Sequence, residues 1–233
     1  MFSLQYANKN KDKMKLIFSK TNYLHHIIMN NVWQKLDEAS KWKEIDKYKS
    51  SLHPQFATSF GVQVAVITKD NYLVIAKRSN NNELNKNIFL CSLTKGSNQE
   101  DIDPNTQILD IFSTAHRGLK LDLGIDVNKK DIRFLTLFSN FEFFHVGFFG
   151  YIDMRSNEEY RFTFNEVQEM FKDGVEDKQK TYELIPVKFE LNEMKNFLLE
   201  NTSNNRIKGA ILVGIIHLMI KFFGSDNVGN LLK

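Results

Sequence analysis

The stretch His116-Arg117-Gly118-Leu119-Lys120-Leu121-Asp122-Leu123-Gly124-Ile125 decides the fold. A helix turns by about 100° per residue, and at that spacing one arc collects the apolar side chains of this region. They are Ile108, Phe112, Ala115, Leu119 and Leu123. The spacing predicts a single helix over residues 107–123 that packs through this arc and stops at Gly124.

The neighbouring arc of the same helix carries few ligand atoms. It holds Arg117, Gly118, Leu121 and Asp122, of which only Asp122 is a carboxylate. A hard divalent cation needs several oxygen ligands that converge on one point. One carboxylate can still join a magnesium site if ligand phosphates and water complete the octahedron. This face therefore predicts a weak metal site.

Strand-like segments lie on both sides of this helix in the sequence. Residues 61–68 and 72–77 are rich in β-branched side chains and are separated by a polar turn, which predicts a hairpin. Other predicted strands cover residues 88–93, 132–138, 143–153 and 182–189. Other predicted helices cover residues 165–172, 191–200 and 206–223. This order predicts an α/β fold in which a mixed sheet is sandwiched between helices.

The first part of the chain differs in composition from the strand-rich block. Residues 34–49 predict a charged helix with sparse apolar positions, and His53-Pro54 then breaks the chain. We interpret residues 1–57 as an N-terminal extension and residues 58–233 as the main domain.

The helix motif resembles the end of the Nudix box, Arg-Glu-aliphatic-x-Glu-Glu-x-Gly-aliphatic. The matching residues are Arg117, Leu119, Gly124 and Ile125. Gly118 and Leu121 stand where the family has two of its glutamates, and Asp122 stands where it has the third. The resemblance covers residues 58–223 and places the motif helix after the third strand. It implies a Nudix-like α/β sandwich with a degraded catalytic box.

The resemblance also implies a cleft for a nucleotide or nucleoside-diphosphate ligand. Arg78 follows the second strand of the hairpin, at a place that often contacts phosphate in the family, and arginine suits bidentate phosphate recognition. Lys95 and Arg117 are further candidates for ligand binding. Arg117 also resembles the family arginine that orients carboxylates inside the box, and a purely structural role is the alternative.

The acidic candidates belong to a site that the resemblance assigns to Mg²⁺. Asp122 would serve as metal ligand and, if the protein is active, as a catalytic residue. Glu100 and Asp101, in the loop before the helix, would supply replacement oxygens. An ordinary solvated loop is the alternative. Glu142 is a further catalytic candidate, because Nudix enzymes often recruit an acid from the later strands.

Two other side chains are of catalytic residue types, but the sequence around them disfavours a catalytic role. Cys91 lies near the strand that carries a cysteine in isopentenyl diphosphate isomerases, but Ser92-Leu93-Thr94 follow it where that family has histidine and proline. His145 lies in an apolar strand, and such a histidine is more often part of the core than a catalyst.

Bulk properties exclude several classes of protein. The net charge of +3 with interspersed Lys, Asp and Glu does not indicate a nucleic-acid groove. A single cysteine excludes an internal disulfide framework. Together with the absence of an apolar signal-peptide core, it favours a cytoplasmic protein. The apolar run over residues 210–220 is too short for a bilayer and predicts a buried helix instead of a membrane partner.

Three hypotheses of function follow. The first is a binding or sensing domain for a phosphorylated nucleotide-like molecule, with little or no hydrolysis. The second is a diverged Mg²⁺-dependent pyrophosphohydrolase that acts on nucleoside-diphosphate-linked substrates. The third is a structural interaction domain. Hydrolysis requires metal-stabilised charge on the leaving phosphate, and the loss of two carboxylates favours the first hypothesis.

Overall fold

A computed structural model describes residues 1–10, 13–48, 59–78, 87–140, 145–173, 182–207 and 209–231. The chain divides into two compact units. Unit 1 contains residues 1–61, 96–111 and 137–147, and unit 2 contains residues 62–95, 112–136 and 148–233. The predicted boundary between residues 57 and 58 stays a prediction.

The strands form a hairpin and a large sheet. The hairpin pairs β1 (Phe2–Asn10) with β2 (Lys13–Lys20) in antiparallel fashion. The sheet has seven strands, and its main path runs in the order β5-β4-β3-β8-β7. These strands are β3 (Ser59–Ile67), β4 (Tyr72–Arg78), β5 (Phe89–Cys91), β7 (Arg133–Asn140) and β8 (His145–Asp153). Off this path, β6 (Leu93–Gly96) pairs with β3, and β9 (Tyr182–Lys188) pairs with β4.

Seven α-helices appear in the described part of the chain. They are α1 (Tyr23–Lys35), α2 (Glu38–Tyr48), α3 (Ile111–Leu123), α4 (Phe164–Asp173), α5 (Leu191–Ser203), α6 (Gly209–Phe223) and α7 (Ser225–Leu231). Strands and helices alternate along much of the chain, so the predicted α/β class is confirmed. None of the described helices is long and apolar enough to cross a membrane.

Unit 1 is built around the N-terminal hairpin. Phe18 of β2 packs edge-on against Phe60 at the start of β3, with ring centroids 4.6 Å apart. Leu4 of β1 is fully buried, and Trp33 is the buried residue of α1. Leu4 and Phe18 thus give the hairpin an apolar side, which an isolated two-stranded hairpin needs in order to be stable in water.

In unit 2, helix α6 packs closely on strand β8. A Cβ atom on Gly214 would lie 2.1 Å from Cδ2 of Phe149, so only glycine allows the helix to approach this ring. Phe149 itself is fully buried. The predicted helix at residues 206–223 is therefore present from Gly209, and one face of it lies in the core of this unit.

Helix α3 is shorter than the predicted span of residues 107–123. Gln107 has a left-handed backbone with φ of 57°, and Leu109 forms an isolated antiparallel bridge with Ile102. These contacts hold residues 107–110 outside the helix. Ile108 is consequently 65% exposed, so its assignment to the packing arc was wrong. Phe112 is also partly exposed and packs on Phe134, with ring centroids 5.1 Å apart.

The remainder of the predicted arc is confirmed. Ala115 and Leu119 are fully buried, and Leu123 is nearly so. The helix ends as expected, because Gly124 adopts a left-handed conformation with φ of 73°. The chain then turns so that the amide of Ile125 donates a hydrogen bond to the carbonyl of Leu119. This packing determines that Gly118 and Asp122 lie on the adjacent face of the helix.

Candidate functional site

An ion pair joins helix α3 to strand β6. The Lys95 ammonium donates a hydrogen bond of 2.7 Å to Oδ1 of Asp122. The two side chains are only 20% and 12% exposed, respectively. Charges in such a partly buried place are screened by water less than those of a surface pair. The structure thus brings together two of the predicted site residues, which lie 27 positions apart in the chain.

Gly118 allows strand β6 to pack closely on helix α3 beside this ion pair. A Cβ atom at Gly118 would lie 2.7 Å from Cδ2 of Leu93 and 3.1 Å from Cβ of Lys95. Strand β6 therefore lies against the helix at the point where the Nudix pattern has a glutamate. Gly118 thus has a packing role of its own, because it leaves room for strand β6.

Asp122 lies at the wall of a cavity within unit 2. The cavity has a volume of about 120 Å³. Its polar lining includes Asp122, Thr94 and Tyr182. The apolar lining is larger and comprises Ala76, Leu90, Leu93, Leu123, Phe171 and Leu184. A pocket with a few convergent polar groups in an apolar wall is the usual form of a small-molecule site.

Arg78 lies at the end of β4, beside the aromatic wall of this cavity. Strands β4 and β9 are antiparallel, and their register sets Arg78 opposite Tyr182. The guanidinium carbon lies 5.9 Å from the centroid of the Tyr182 ring, which is within the range of a cation–π contact. Nε of Arg78 is buried and has no hydrogen-bond acceptor among the described residues.

An unpaired buried donor is unfavourable for the folded protein. Leaving such a group without a partner costs about 1–3 kcal/mol, and more if the group is charged. An anionic oxygen that approached Arg78 would relieve this cost. The neighbouring Lys77 forms its own ion pair with Glu183 at 3.3 Å, so the two adjacent cations have different environments.

Two other residues of the motif on helix α3 lie close to Asp122 in the sequence and differ from each other in exposure. Arg117 is half-buried on α3, and Leu121 is 51% exposed. The position of Leu121 would therefore accept a carboxylate without a buried charge. The Gly118 position would not accept one unless Leu93 moved.

The acidic loop candidates belong to unit 1 and have structural hydrogen bonds. Asp101 is buried and forms a reciprocal capping box with Asn98 at the short 3₁₀ turn Gln99–Asp101. The side chain of Asn98 also donates a hydrogen bond to the Glu100 carboxylate, at 3.2 Å. These contacts account for both acids without a metal. Glu142 lies outside the described residues.

The oxygen donors around Asp122 do not suit Mg²⁺. An ammonium group already contacts this carboxylate, and Gly118 and Leu121 offer no side-chain oxygen. Across the described ranges, no three His, Cys, Asp or Glu side chains are grouped so that they could hold a metal ion. Mg²⁺ requires near-octahedral oxygen coordination, which one lysine-paired carboxylate does not provide.

Cys91 lines the same cavity but is unsuited to act as a nucleophile. Its side chain is buried, and burial raises the pKa of the thiol to about 12. The thiolate is the reactive form of cysteine, so Cys91 is chemically inert near neutral pH. The isomerase-like interpretation of this residue has no support here.

Tyr182, Thr94 and Phe171 line the candidate site but were not identified by the sequence analysis. Tyr182 comes next to Arg78 only through the pairing of β4 with β9, more than one hundred residues later in the chain. Strand register of this kind is set by tertiary packing, and no local motif marks it. For Thr94 there was one weak indication in the sequence, which is that it directly precedes the candidate ligand-binding residue Lys95.

Comparison with known proteins identifies distant structural similarities. No protein-family model matches the chain, and no curated protein matches it. One similar solved structure is that of the protein DR0079 from Deinococcus radiodurans. It has 14% identity and a TM-score of 0.40, and the match covers 66% of this chain and 79% of that one.

A second similar structure is a MutT/nudix family protein from Enterococcus faecalis. It has 10% identity and a TM-score of 0.36, and the match covers 91% of this chain and 92% of that one. At these identities and TM-scores, neither likeness assigns this chain to a family.

Proposed function

We propose that the cavity beside Asp122 and Tyr182 binds a phosphorylated nucleotide-like molecule, and that the protein hydrolyses it little or not at all. The observation that carries this proposal is the placement of Arg78. Its buried Nε has no hydrogen-bond acceptor among the described residues, and its guanidinium carbon lies 5.9 Å from the ring centroid of Tyr182, a residue that lines the cavity. This arrangement suits a ligand with an anionic group joined to a planar or apolar one.

The two parts of such a ligand have separate places. The cavity, with a volume of about 120 Å³, is smaller than the roughly 300–1,000 Å³ of most ligand pockets, so part of a nucleotide would lie outside it. Tyr182 and Phe171 provide aromatic surface against which a base can pack. The phosphates would then lie towards Arg78, whose planar fork of donors matches phosphate oxygens.

Hydrolysis is disfavoured because Asp122, the only carboxylate of helix α3, is paired with Lys95. Cleavage of a diphosphate needs a metal that stabilises charge on the leaving group and an activated water. Removing one electrostatic contributor of this kind typically costs about 3–4 kcal/mol of transition-state stabilisation. Two contributors are absent at Gly118 and Leu121, and Lys95 holds the third position, Asp122.

Calorimetry with ADP as the probe tests the binding claim. The wild-type protein should bind ADP, and Arg78→Gln should weaken the affinity about tenfold or more, the usual effect of losing a charged hydrogen bond worth at least 1.5 kcal/mol. Arg161→Gln is the matched control, because Arg161 is exposed, whereas Arg78 has a buried Nε and lies beside Tyr182 of the cavity wall.

The same samples separate the competing functions. Unchanged binding in Arg78→Gln would contradict the proposed phosphate contact. Rapid Mg²⁺-dependent release of phosphate from nucleoside-diphosphate compounds, abolished in Asp122→Asn, would establish the pyrophosphohydrolase instead. An absence of binding to any phosphorylated probe would favour the structural interaction domain.

A further inference from the structure

We infer that the ammonium group of Lys95 occupies the place of a divalent cation at Asp122, so that the ligand site works without a metal ion. The inference gives the proposed function a specific form, since it predicts that the site takes a metal-free phosphorylated ligand. It concerns a positive charge supplied by the chain itself, in direct contact with the carboxylate that remains on the α3 face.

The first argument is the geometry of the pair. Nζ of Lys95 lies 2.7 Å from Oδ1 of Asp122, which is a charge-assisted hydrogen bond. A carboxylate oxygen that accepts from an ammonium has less negative potential to offer a cation. A metal ion at that oxygen would also be repelled by the ammonium at such short range.

The second argument is that Gly118 and Lys95 belong to one arrangement. The absence of a side chain at Gly118 lets Leu93 and the stem of Lys95 lie directly against the helix. A glutamate at that position would meet both of these side chains before it reached the site. The glycine that removes one ligand thus also makes room for the lysine that replaces the metal.

The third argument comes from a second ion pair near the same helix. Lys120 of α3 contacts Asp126, but its side chain is 55% exposed and that of Asp126 is 59% exposed. Exposed pairs of this kind contribute little and are screened by salt. The Lys95–Asp122 pair is far less exposed and adjoins a cavity, so it neutralises a carboxylate where a ligand would approach.

A charge-reversal experiment with Mn²⁺ alone tests the inference. Lys95→Glu places two carboxylates where the ion pair now lies. This variant should bind Mn²⁺, followed by electron paramagnetic resonance, at least about tenfold more tightly than the wild type, because it supplies converging oxygens. Adding Asp122→Asn should return the affinity to the wild-type level. Lys120→Glu is the matched control, since it makes the same change of charge at the exposed pair.

Three outcomes would overturn the inference. The first is wild-type Mn²⁺ binding that is already tight and is lost in Asp122→Asn. The second is no gain of affinity in Lys95→Glu. The third is an equal gain in Lys95→Glu and Lys120→Glu. Lys95→Met covers the case in which Lys95→Glu does not fold. Mn²⁺ should raise the unfolding temperature of Lys95→Met but not that of the wild type, and no such difference would count against the inference.

These titrations contain no nucleotide, so their failure is distinguishable from failure of the proposed function. A protein that binds ADP but shows no gain of Mn²⁺ affinity in Lys95→Glu would keep the proposed function and lose the metal replacement. If the protein does not bind ADP but Lys95→Glu gains Mn²⁺ affinity, the inference about Lys95 stands and the proposed ligand is wrong.

Discussion

Two helices in unit 2 approach their strands through a glycine, and the two contacts differ in what the glycine admits. At Gly214, helix α6 meets the ring of Phe149, and the contact is wholly apolar. At Gly118, helix α3 packs against Leu93 and the aliphatic part of Lys95. The ammonium group of the same lysine forms an ion pair with Asp122. The same packing device therefore builds core in one place and a charged site in the other.

The comparison shows that a glycine within a helix can be explained in two different ways. In an apolar helix such as α6, a glycine is explained by close packing alone. On α3 the glycine stands at a position where a resembling family has a catalytic acid, so the sequence suggests decay. The structure adds a packing reason, because a glutamate side chain at Gly118 would have to displace Leu93 of β6.

The largest effect is expected at the apolar contact. Gly214→Ala should destabilise the protein by about 3 kcal/mol, the upper end of the usual range for overpacking, because its Cβ would overlap the buried ring of Phe149. Urea unfolding measures this change. Gly229→Ala is the control, since a Cβ at Gly229 of α7 meets nothing within 4 Å. A neutral Gly214→Ala would mean that α6 does not pack as described.

A slightly smaller effect is expected from a buried polar contact in unit 1. His145 lies with Nδ1 3.0 Å from Oγ of Ser59, and its Nε2 is buried without a partner among the described residues. Burial, with a smaller contribution from the charge of His26, lowers the pKa of His145 to about 4. The unfolded chain therefore binds more protons than the folded chain between about pH 6.5 and pH 4.

Stability should accordingly fall as the pH is lowered through this window. The contribution of His145 is complete above about pH 6.5, and on the order of 2–3 kcal/mol of it should be lost by pH 4. Urea unfolding at several pH values measures the slope. His145→Gln should reduce the slope, whereas part of it should remain because burial also lowers the pKa of His26. An unchanged slope in His145→Gln would show that this imidazole is not buried in its neutral form.

The smallest effect is expected at the charged contact. Gly118→Ala should destabilise the protein by only about 1 kcal/mol, because overpacking against Leu93 is partly offset by the better helix propensity of alanine. The closest atom is the end of a flexible side chain, unlike the ring at Gly214. Comparing urea midpoints of Gly118→Ala and Gly214→Ala tests the ranking directly. A larger loss in Gly118→Ala would reverse the comparison between the two contacts.

The sequence predicted the packing of α3 but not its start. Leu119 and Leu123 could be placed in the core because periodicity alone decides which face is buried. Ile108 fits the same periodicity, yet the left-handed conformation of Gln107 and the bridge from Leu109 to Ile102 keep it out of the helix. Such local pairing competes with helix formation and leaves no periodic signal.

Three charged residues of the candidate site could be named from the sequence, whereas its aromatic wall and its arrangement could not. The sequence analysis named Arg78 and Lys95 as candidates for ligand binding and Asp122 as a candidate metal ligand. Their relations depend on the register of β4 with β9 and on the close approach of β6 to Gly118. Both are long-range packing features, so the sequence showed the charges without showing that Lys95 and Asp122 form an ion pair.

The most direct test of the central claim is calorimetric titration of ADP into the wild-type protein, first in EDTA and then in excess Mg²⁺. The account predicts measurable binding in EDTA, with an affinity that Mg²⁺ does not increase, because Lys95 already supplies the positive charge at Asp122. Binding that requires Mg²⁺, or no binding of ADP under either condition, would contradict it.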